Sequence, residues 1–300
     1  MQSSMEPNTI DLVSYLTFFE LQDYITKRPS PNLETLTKVV KQHTTKTFYQ
    51  NVDLQTKAVR GDTFLKEDLA ISSIQKTMID DKRGGMCFDQ NLLLEAALTA
   101  LGFNVKLAAA CVLPYNPEQL PTHSVLLVEI DSEHYLVDSG FGFNNIRAPL
   151  KFDFKGDQEV TVLGHERYQL IVEPTYYKIN HITLEGKDLG YSYFMREGDF
   201  PRIATKDEVL ANYERGMNNK KELAIRDSKL YVGGYKGEGR IGLSFDKKLK
   251  SGNLLSQKDS ISEVIKAEEY KDFGEFVVAA KKYFGIEVPA ELQKAYECKE

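Results

Sequence analysis

Cysteine is scarce in this chain. Its 300 residues hold three, Cys87, Cys111 and Cys298, an odd number spread far apart. That spread excludes the dense, paired pattern of a disulfide-stapled secreted domain and points to free thiols in a reducing compartment. No apolar run approaches the roughly 20 residues of a membrane-crossing helix. The opening stretch "MQSSMEPNTIDLVSYLTF" has no basic start, apolar core or cleavage site of a secretory signal. Together these predict a soluble cytoplasmic protein. Basic residues are outnumbered, 38 Lys+Arg against 44 Asp+Glu, and a net charge of −6 argues against nucleic acid as the main partner, since phosphate binding needs a basic stripe. Histidine is limited to five residues, and no CxxC, HxxxH or HExxH spacing occurs, so no metal site is expected. Internal repeats and low-complexity tracts are absent too.

What is present is ordinary globular composition, 42% hydrophobic and 27% charged. A chain of this length exceeds what one core usually holds, so two or three packed units are expected. Residues 1–103 read as helical. "TIDLVSYLTFFEL", "NLETLTKVVKQHTTKTF" (with Asn32 as cap), "KEDLAISSIQKTMI" and the run after Cys87 all space apolar residues three and four apart, and Gly102 stops the last. Residues 104–200 turn to β: "NVKLAAACVL", "HSVLLVEI", "HYLVDSGF" and "YQLIVEP" are short, branched or aromatic, and separated by turn residues, predicting an antiparallel sheet or small barrel. Residues 201–300 are mixed. "TKDEVLANYERGMNN" reads as a helix capped at Thr205, "KLYVGGYKGEGRIGLSF" as a hairpin, and "DSISEVIKAEEYKDFGEFVVAAKKYFG" as one or two closing helices.

In "DDKRGGMCFDQNLLLEAALTALGF", Cys87 sits where a loop enters a helix. Unpaired N–H groups and the partial positive charge of a helix start favour a thiolate over a thiol. Gly84 and Gly85 let the backbone approach another group closely, and Arg83 adds positive charge or a structural ion pair. The competing reading is a small buried hydrophobe, the usual state of a free cysteine.

A nucleophilic thiol needs a base, and the base needs an orienter. Of the histidines, His43 is expected at the surface of the second helix, His165 in a turn, His181 in a strand without an acidic partner, and His134 in a solvated hairpin beside Glu133. His123 opens the strand "HSVLLVEI", and Asp138 closes the next strand before a glycine turn. Antiparallel neighbours joined by "DSE" put those two ends side by side, and an aspartate beside a histidine fixes its tautomer. Singly, His123 is an ordinary strand-end residue and Asp138 a turn initiator. With Cys87 they form a coherent Cys–His–Asp set.

"RGGMCFDQN", "THSVLLV" and "YLVDSGFG", with "FYQNVDL" upstream, resemble the signature stretches of the arylamine N-acetyltransferase family, as a bacterial-type member, over most of residues 10–200. The resemblance implies an α+β fold in three-domain, papain-like thiol-enzyme order: a helical bundle carrying the nucleophile (1–103), a β-barrel carrying His and Asp (104–200) and an α/β lid (201–300). It implies a Cys87–His123–Asp138 triad taking an acetyl group from acetyl-CoA and passing it to an arylamine or hydrazine, or to the oxygen of an N-hydroxyarylamine, by a ping-pong route. Coenzyme A and a small aromatic acceptor are the implied partners, with no nucleic acid, membrane, metal or bound prosthetic group.

By the same resemblance Phe141 borders the acceptor pocket, with core packing as the other reading. Phe88 is either a substrate wall or packing. Gln50 stands where relatives carry Glu to pair with the arginine matching Arg83, so the ion pair needs another acid, for which Asp89 is the candidate. The loop "NPEQLPT" lacks a glycine that relatives place near the cofactor phosphates, leaving Thr122 as the local candidate. "GGYKGEGR" at 233–240 lacks the strand–loop–helix setting of a phosphate loop and reads as a hairpin turn. The order Cys…His…Asp alone also fits an amide synthase, transglutaminase or protease, or a non-catalytic protein that keeps the fold.

Overall fold

The computed structural model describes residues 9–111, 121–164, 166–182, 188–219, 229–258 and 264–297, with backbone only at 188–192. Cys298, His165 and most of the "NPEQLPT" loop lie outside the described residues.

The first helices start where the sequence caps them. Asp11 accepts a hydrogen bond from Ser14 N–H at 3.0 Å to open α1 (Leu12–Phe18). A short α2 (Asp23–Thr26) follows, and Asn32 caps α3 (Leu33–Lys46) by accepting from Thr35 N–H at 2.9 Å. α4 (Val52–Arg60) closes on Gly61. The single helix expected over "KEDLAISSIQKTMI" is instead three pieces: a 3₁₀ turn (Lys66–Leu69), α5 (Ile71–Gln75) and a π turn (Lys76–Asp80). The break lies at Ala70, whose backbone is extended (φ −61°, ψ 134°), after Asp68 has turned back to accept from Leu65 N–H. α6 (Cys87–Ala100) is the central helix: Leu92, Leu93, Leu94, Ala97 and Leu98 are all fully buried, so it is enclosed rather than amphipathic.

A ten-stranded antiparallel sheet supplies the barrel-like layer. It contains β2 (Asn104–Cys111), β3 (His123–Ile130), β4 (Glu133–Val137), β5 (Leu150–Lys151), β6 (Gln158–Val162), β7 (Glu166–Val172), β8 (Tyr176–Ile182) and β9 (Asp188–Glu197), in the order β5-β4-β3-β2-β9-β8-β7-β6. Two short strands, β10 (Phe200–Pro201) and β11 (Ile203–Ala204), pair with β9 and β2. β3 reads as a nearly continuous apolar run because both of its faces are covered. Leu126 and Val128 join the helical core, while Val125 and Leu127 join the barrel core.

α7 (Lys206–Asn218), capped at Thr205, returns to the helical core through Val209, Tyr213 and Met217. A second sheet holds β12 (Lys229–Lys236), β13 (Gly239–Asp246), β14 (Ser251–Gln257) and β15 (Ile265–Tyr270), and its fifth strand is β1 (Phe48–Gln50), lent by the helical segment. β12 and β13 form the expected hairpin. α8 (Phe273–Phe284) and α9 (Ala290–Glu297) complete a third apolar core with this sheet. The closing segment is therefore a strand and then a helix, not helix throughout. "IKAEEY" pairs with β14, which overrides its local helical preference, and Asp272 starts α8 by accepting from Glu275 N–H at 3.0 Å.

The fold is α+β, with helices on one side of a barrel-like sheet and a second, helix-covered sheet closing the chain. No helix among the described residues is long and apolar enough to cross a membrane.

Candidate active site

Cys87 is the first residue of α6, half-buried, with Sγ 3.8 Å from the carbonyl oxygen of Thr122. The loop before it is held by β1. Gln50 N–H donates to Gly85 O and Gly85 N–H to Phe48 O, each at 3.2 Å. Gly84 has φ +67°, and a Cβ there would meet Phe48 O at 2.3 Å, so glycine is required on two counts. Asn51 ties the other edge of this segment to β12, accepting from Tyr231 N–H at 2.7 Å and donating to Lys229 O at 2.9 Å. The stretch "FYQNVDL" thus fastens the loop before Cys87 to the second sheet.

His123 and Asp138 meet as expected from the hairpin. Nε2 of His123 lies 2.8 Å from Asp138 Oδ2, and both side chains are sealed from water. The two-residue turn joining their strands places Asp131 and Ser132 at positive φ, the twist that tight hairpins favour. Burial pulls the proton affinity of His123 down, but the charge and hydrogen bond of Asp138, with the Cys87 thiol, outweigh it and hold the imidazole at about 10. Nδ1 of His123 is buried with no hydrogen-bond partner. Nε2 being taken by Asp138, Nδ1 is the nitrogen left for the thiol.

Asn91 was not singled out from the sequence, yet it organises the site. It lies one helical turn after Cys87, on the same face of α6. Its Nδ2 donates to Asp138 Oδ1 at 3.0 Å and to Ser124 O at 2.6 Å, and its Oδ1 accepts from Ser139 N–H and Oγ, each at 2.9 Å. Gly140 N–H adds a second donor to Asp138 Oδ1 at 2.9 Å. A Cβ on Gly140 would fall 2.7 Å from Cys87 Cα, so glycine lets the Asp138 turn lie directly on the start of the helix. The signal was there in "CFDQN": a polar residue four after the nucleophile, on a helix otherwise buried in leucine.

The acid pairing Arg83 is Asp53, not Asp89. The guanidinium pairs through Nη2 with Asp53 Oδ1 and through Nε with Oδ2 at 3.2 Å, and Gln50 donates to the same Oδ2 at 2.8 Å. Asp89 instead caps α6, accepting from Met86 N–H at 2.8 Å, and burial raises its carboxyl to about 7. Phe88 is 1% exposed and packs edge-on against Tyr213 with ring centroids 5.5 Å apart, as part of the helical core. The Phe141 ring lies 6.4 Å from that of His123. Thr122 is buried and presents its carbonyl to Cys87.

His43 is not at the surface. It is fully buried on the Leu36–Val39–Val40 stripe of α3, bonded to Tyr15 Oη at 3.0 Å, and burial lowers it to about 3. His181 lies buried in β8, stacked on Tyr168. His134 packs edge-on against Phe200, with ring centroids 4.8 Å apart. Among the described residues no group of three His, Cys, Asp or Glu side chains is arranged to hold a metal ion.

A cysteine at a helix start, with a buried His–Asp pair beside it, is an arrangement for transferring acyl groups through a thioester. The N-acetyltransferase family model matches residues 32–292. Over 146 residues, 47% of this chain, the sequence is 32% identical to an arylamine N-acetyltransferase of Escherichia coli, covering 48% of that relative. Over 104 residues, 34% of this chain, it is 35% identical to an arylamine N-acetyltransferase / N-hydroxyarylamine O-acetyltransferase of Salmonella typhimurium, covering 36% of it. The chain thus spans about half the length, or less, of these curated relatives. Its fold is similar to the structure of Mycobacterium marinum arylamine N-acetyltransferase in complex with CoA, with a TM-score of 0.71 at 21% identity, over 95% of this chain and 98% of that one.

Proposed function

This chain belongs to the arylamine N-acetyltransferase family, and we propose that it carries an acetyl group from acetyl-CoA to an aromatic amine or hydrazine, or to the oxygen of an N-hydroxyarylamine, through Cys87. The observation that carries this reading is the buried His123–Asp138 pair, 2.8 Å apart, beside a cysteine that opens a helix.

His123, oriented on Nε2 by Asp138, takes the thiol proton of Cys87 at Nδ1. The thiolate attacks the acetyl thioester carbonyl. The carbon–sulfur bond to coenzyme A breaks, and coenzyme A leaves with the proton that His123 returns. An amine then attacks acetyl-Cys87, its proton passes to His123, and the Cys87 thiolate departs. First-turn N–H groups of α6 are the natural donors to the developing oxyanion, each worth about 3 kcal/mol.

In this reading Asn91 positions Asp138, Phe141 borders the acceptor, Thr122 lies where the cofactor's acyl end arrives, and Phe88 supports the helix from behind. Arg83, Gln50, Gly84 and Gly85 hold the loop. Coenzyme A and a small aromatic acceptor are the partners. Cytoplasmic residence follows from the need to keep Cys87 reduced. The division into 1–103, 104–200 and 201–300 is supported by three apolar cores centred on these segments, although β2, β3 and β4 also pack on the helical core, α7 reaches back to it, and Val52 joins the third core. The test is steady-state kinetics with acetyl-CoA and an arylamine varied together. Parallel double-reciprocal lines are expected, and intersecting lines contradict a covalent intermediate.

A further inference from the structure

Behind the turn that carries Phe141, two arginines lie against the ring of one tyrosine. Arg147 and Arg240 place their guanidinium carbons 4.5 Å and 4.7 Å from the ring centroid of Tyr235, and both are essentially buried. Their hydrogen bonding differs sharply. The Nε and Nη2 edge of Arg147 closes on Glu166 Oε1 at 2.8 Å and 2.6 Å, while Nη1 reaches Glu238 at 3.0 Å. Glu166 is also satisfied by Tyr168 Oη at 3.0 Å. Arg240, 1% exposed, uses only Nη1, which donates to His181 Nδ1 at 3.1 Å and lies 3.4 Å from Phe143 O and 3.5 Å from Asn144 Oδ1. Its Nε and Nη2 are buried with no hydrogen-bond partner.

That edge is the planar fork with which arginine binds two oxygens at once. The same edge of Arg147 is already filled by a protein carboxylate, whereas that of Arg240 has none. A buried guanidinium that leaves two of its nitrogens unpaired is costly for a fold to keep. Further unpartnered donors lie in the same cluster. Since a guanidinium only donates, His181 must accept at Nδ1, so the neutral ring carries its proton on Nε2, and that nitrogen is buried without a partner. Burial, and then the charges of Arg240 and Arg147, keep His181 in this neutral form. The side-chain amide of Asn145, fully buried, is also unpaired at both atoms.

We propose that the Nε/Nη2 fork of Arg240 holds a small oxyanion, a phosphate or carboxylate group, in the buried cluster with Asn145 and His181. The site lies on the second sheet, at the end of the "GGYKGEGR" hairpin. Phosphate chemistry thus enters this motif through the side chain of its final arginine and not through a loop of backbone amides. Because Arg240 also meets Phe143 and Asn144, an anion here braces the turn from which Phe141 faces His123.

Calorimetric titration of the full chain with inorganic phosphate, chloride replacing it at constant ionic strength, tests this directly. The wild type is expected to bind phosphate saturably at one site. Arg240→Lys keeps the charge but loses the fork, and is expected to weaken binding about tenfold or more. Asn145→Ala, which removes no existing side-chain hydrogen bond, gives a second variant with weakened binding should Arg240→Lys not fold. No saturable phosphate binding by the wild type, or equal binding by a folded Arg240→Lys, overturns the proposal. Repeating the titration with coenzyme A or pantetheine present separates the sources. Displacement of phosphate by coenzyme A alone assigns the fork to the coenzyme's own phosphates, and displacement by neither assigns it to a free ion. Binding is read without any acetyl donor or acceptor, so its outcome is independent of whether the chain transfers acetyl groups.

Discussion

Asn91 and Asp138, 47 residues apart in the sequence, meet at 3.0 Å inside the protein. The contact joins the helix that Cys87 opens to the turn that carries Asp138. Replacing Asn91 with Ala leaves Asp138 Oδ1 with only the Gly140 N–H and leaves Ser124 O and Ser139 without their partner. A loss of about 1–3 kcal/mol of stability is expected, with a drop in kcat/KM of roughly 10–100-fold as Asp138 shifts from its place. Urea denaturation and steady-state kinetics on the same preparation check both.

Asp138→Asn keeps the shape of the site but removes the charge that holds His123 in its tautomer. The expected fall in kcat is about 10³–10⁴-fold. The pH dependence of stability should change with it. His123 rises from an ordinary 6.5 to about 10 on folding, so its contribution is complete below about 6.5 and is lost as pH climbs to about 10. Thermal melts across that window should slope downward in the wild type and be flatter in Asp138→Asn.

Asp89→Asn should stabilise the protein above neutral pH. The carboxyl rises from 3.8 to about 7 on folding, chiefly through burial, so the folded state binds its proton more tightly and stability declines as pH climbs between those values. Asparagine can still accept from Met86 N–H without carrying a charge. A gain of about 1–2 kcal/mol at pH 8, with a flatter profile between pH 4 and 7, is expected, smaller than the full shift implies because Asp89 is only partly withdrawn from solvent. Denaturant midpoints at several pH values measure it.

Gly140→Ala inserts a methyl group 2.7 Å from Cys87 Cα and 2.8 Å from Cys87 O, both backbone atoms that cannot step aside. A cost of about 1–3 kcal/mol is expected from overpacking. Acetyl transfer should fall together with stability, because the turn holding Asp138 is pushed off the helix. Melting temperature and kcat together test the point.

Asp53→Asn breaks the ion pair with Arg83, but both side chains are partly exposed, at 40% and 30%. The expected loss is no more than about 1 kcal/mol, with near-normal activity. A large loss of activity in this variant would show that Arg83 acts on the chemistry and not on the loop.

The positions of Cys87, His123 and Asp138 were legible because each sits at a junction the sequence marks: a glycine pair before a helix, the start of one strand and the end of the next. Asn91 was missed because its role depends on a partner 47 residues away. His43 was placed at the surface because a polar residue on an apolar stripe looks like the stripe's edge. Only packing shows that Tyr15 meets it at 3.0 Å and Phe19 stacks on it. Asp53 escaped notice as the partner of Arg83 because α4 had to be placed against the loop first. β15 was read as helix because Lys, Ala and Glu favour helix locally, while its strand state depends on pairing with β14. In each case local chemistry was readable and long-range pairing was not.

The central claim is a covalent acetyl-Cys87 intermediate. Brief incubation with acetyl-CoA, without an amine, followed by intact-protein and peptide mass spectrometry tests it most directly. The account predicts one added acetyl group on the peptide containing Cys87, absent in Cys87→Ser and lost when an arylamine is added. An unmodified Cys87, with its thiol still rapidly alkylated by iodoacetamide at neutral pH, would contradict it and assign the site to another acyl donor.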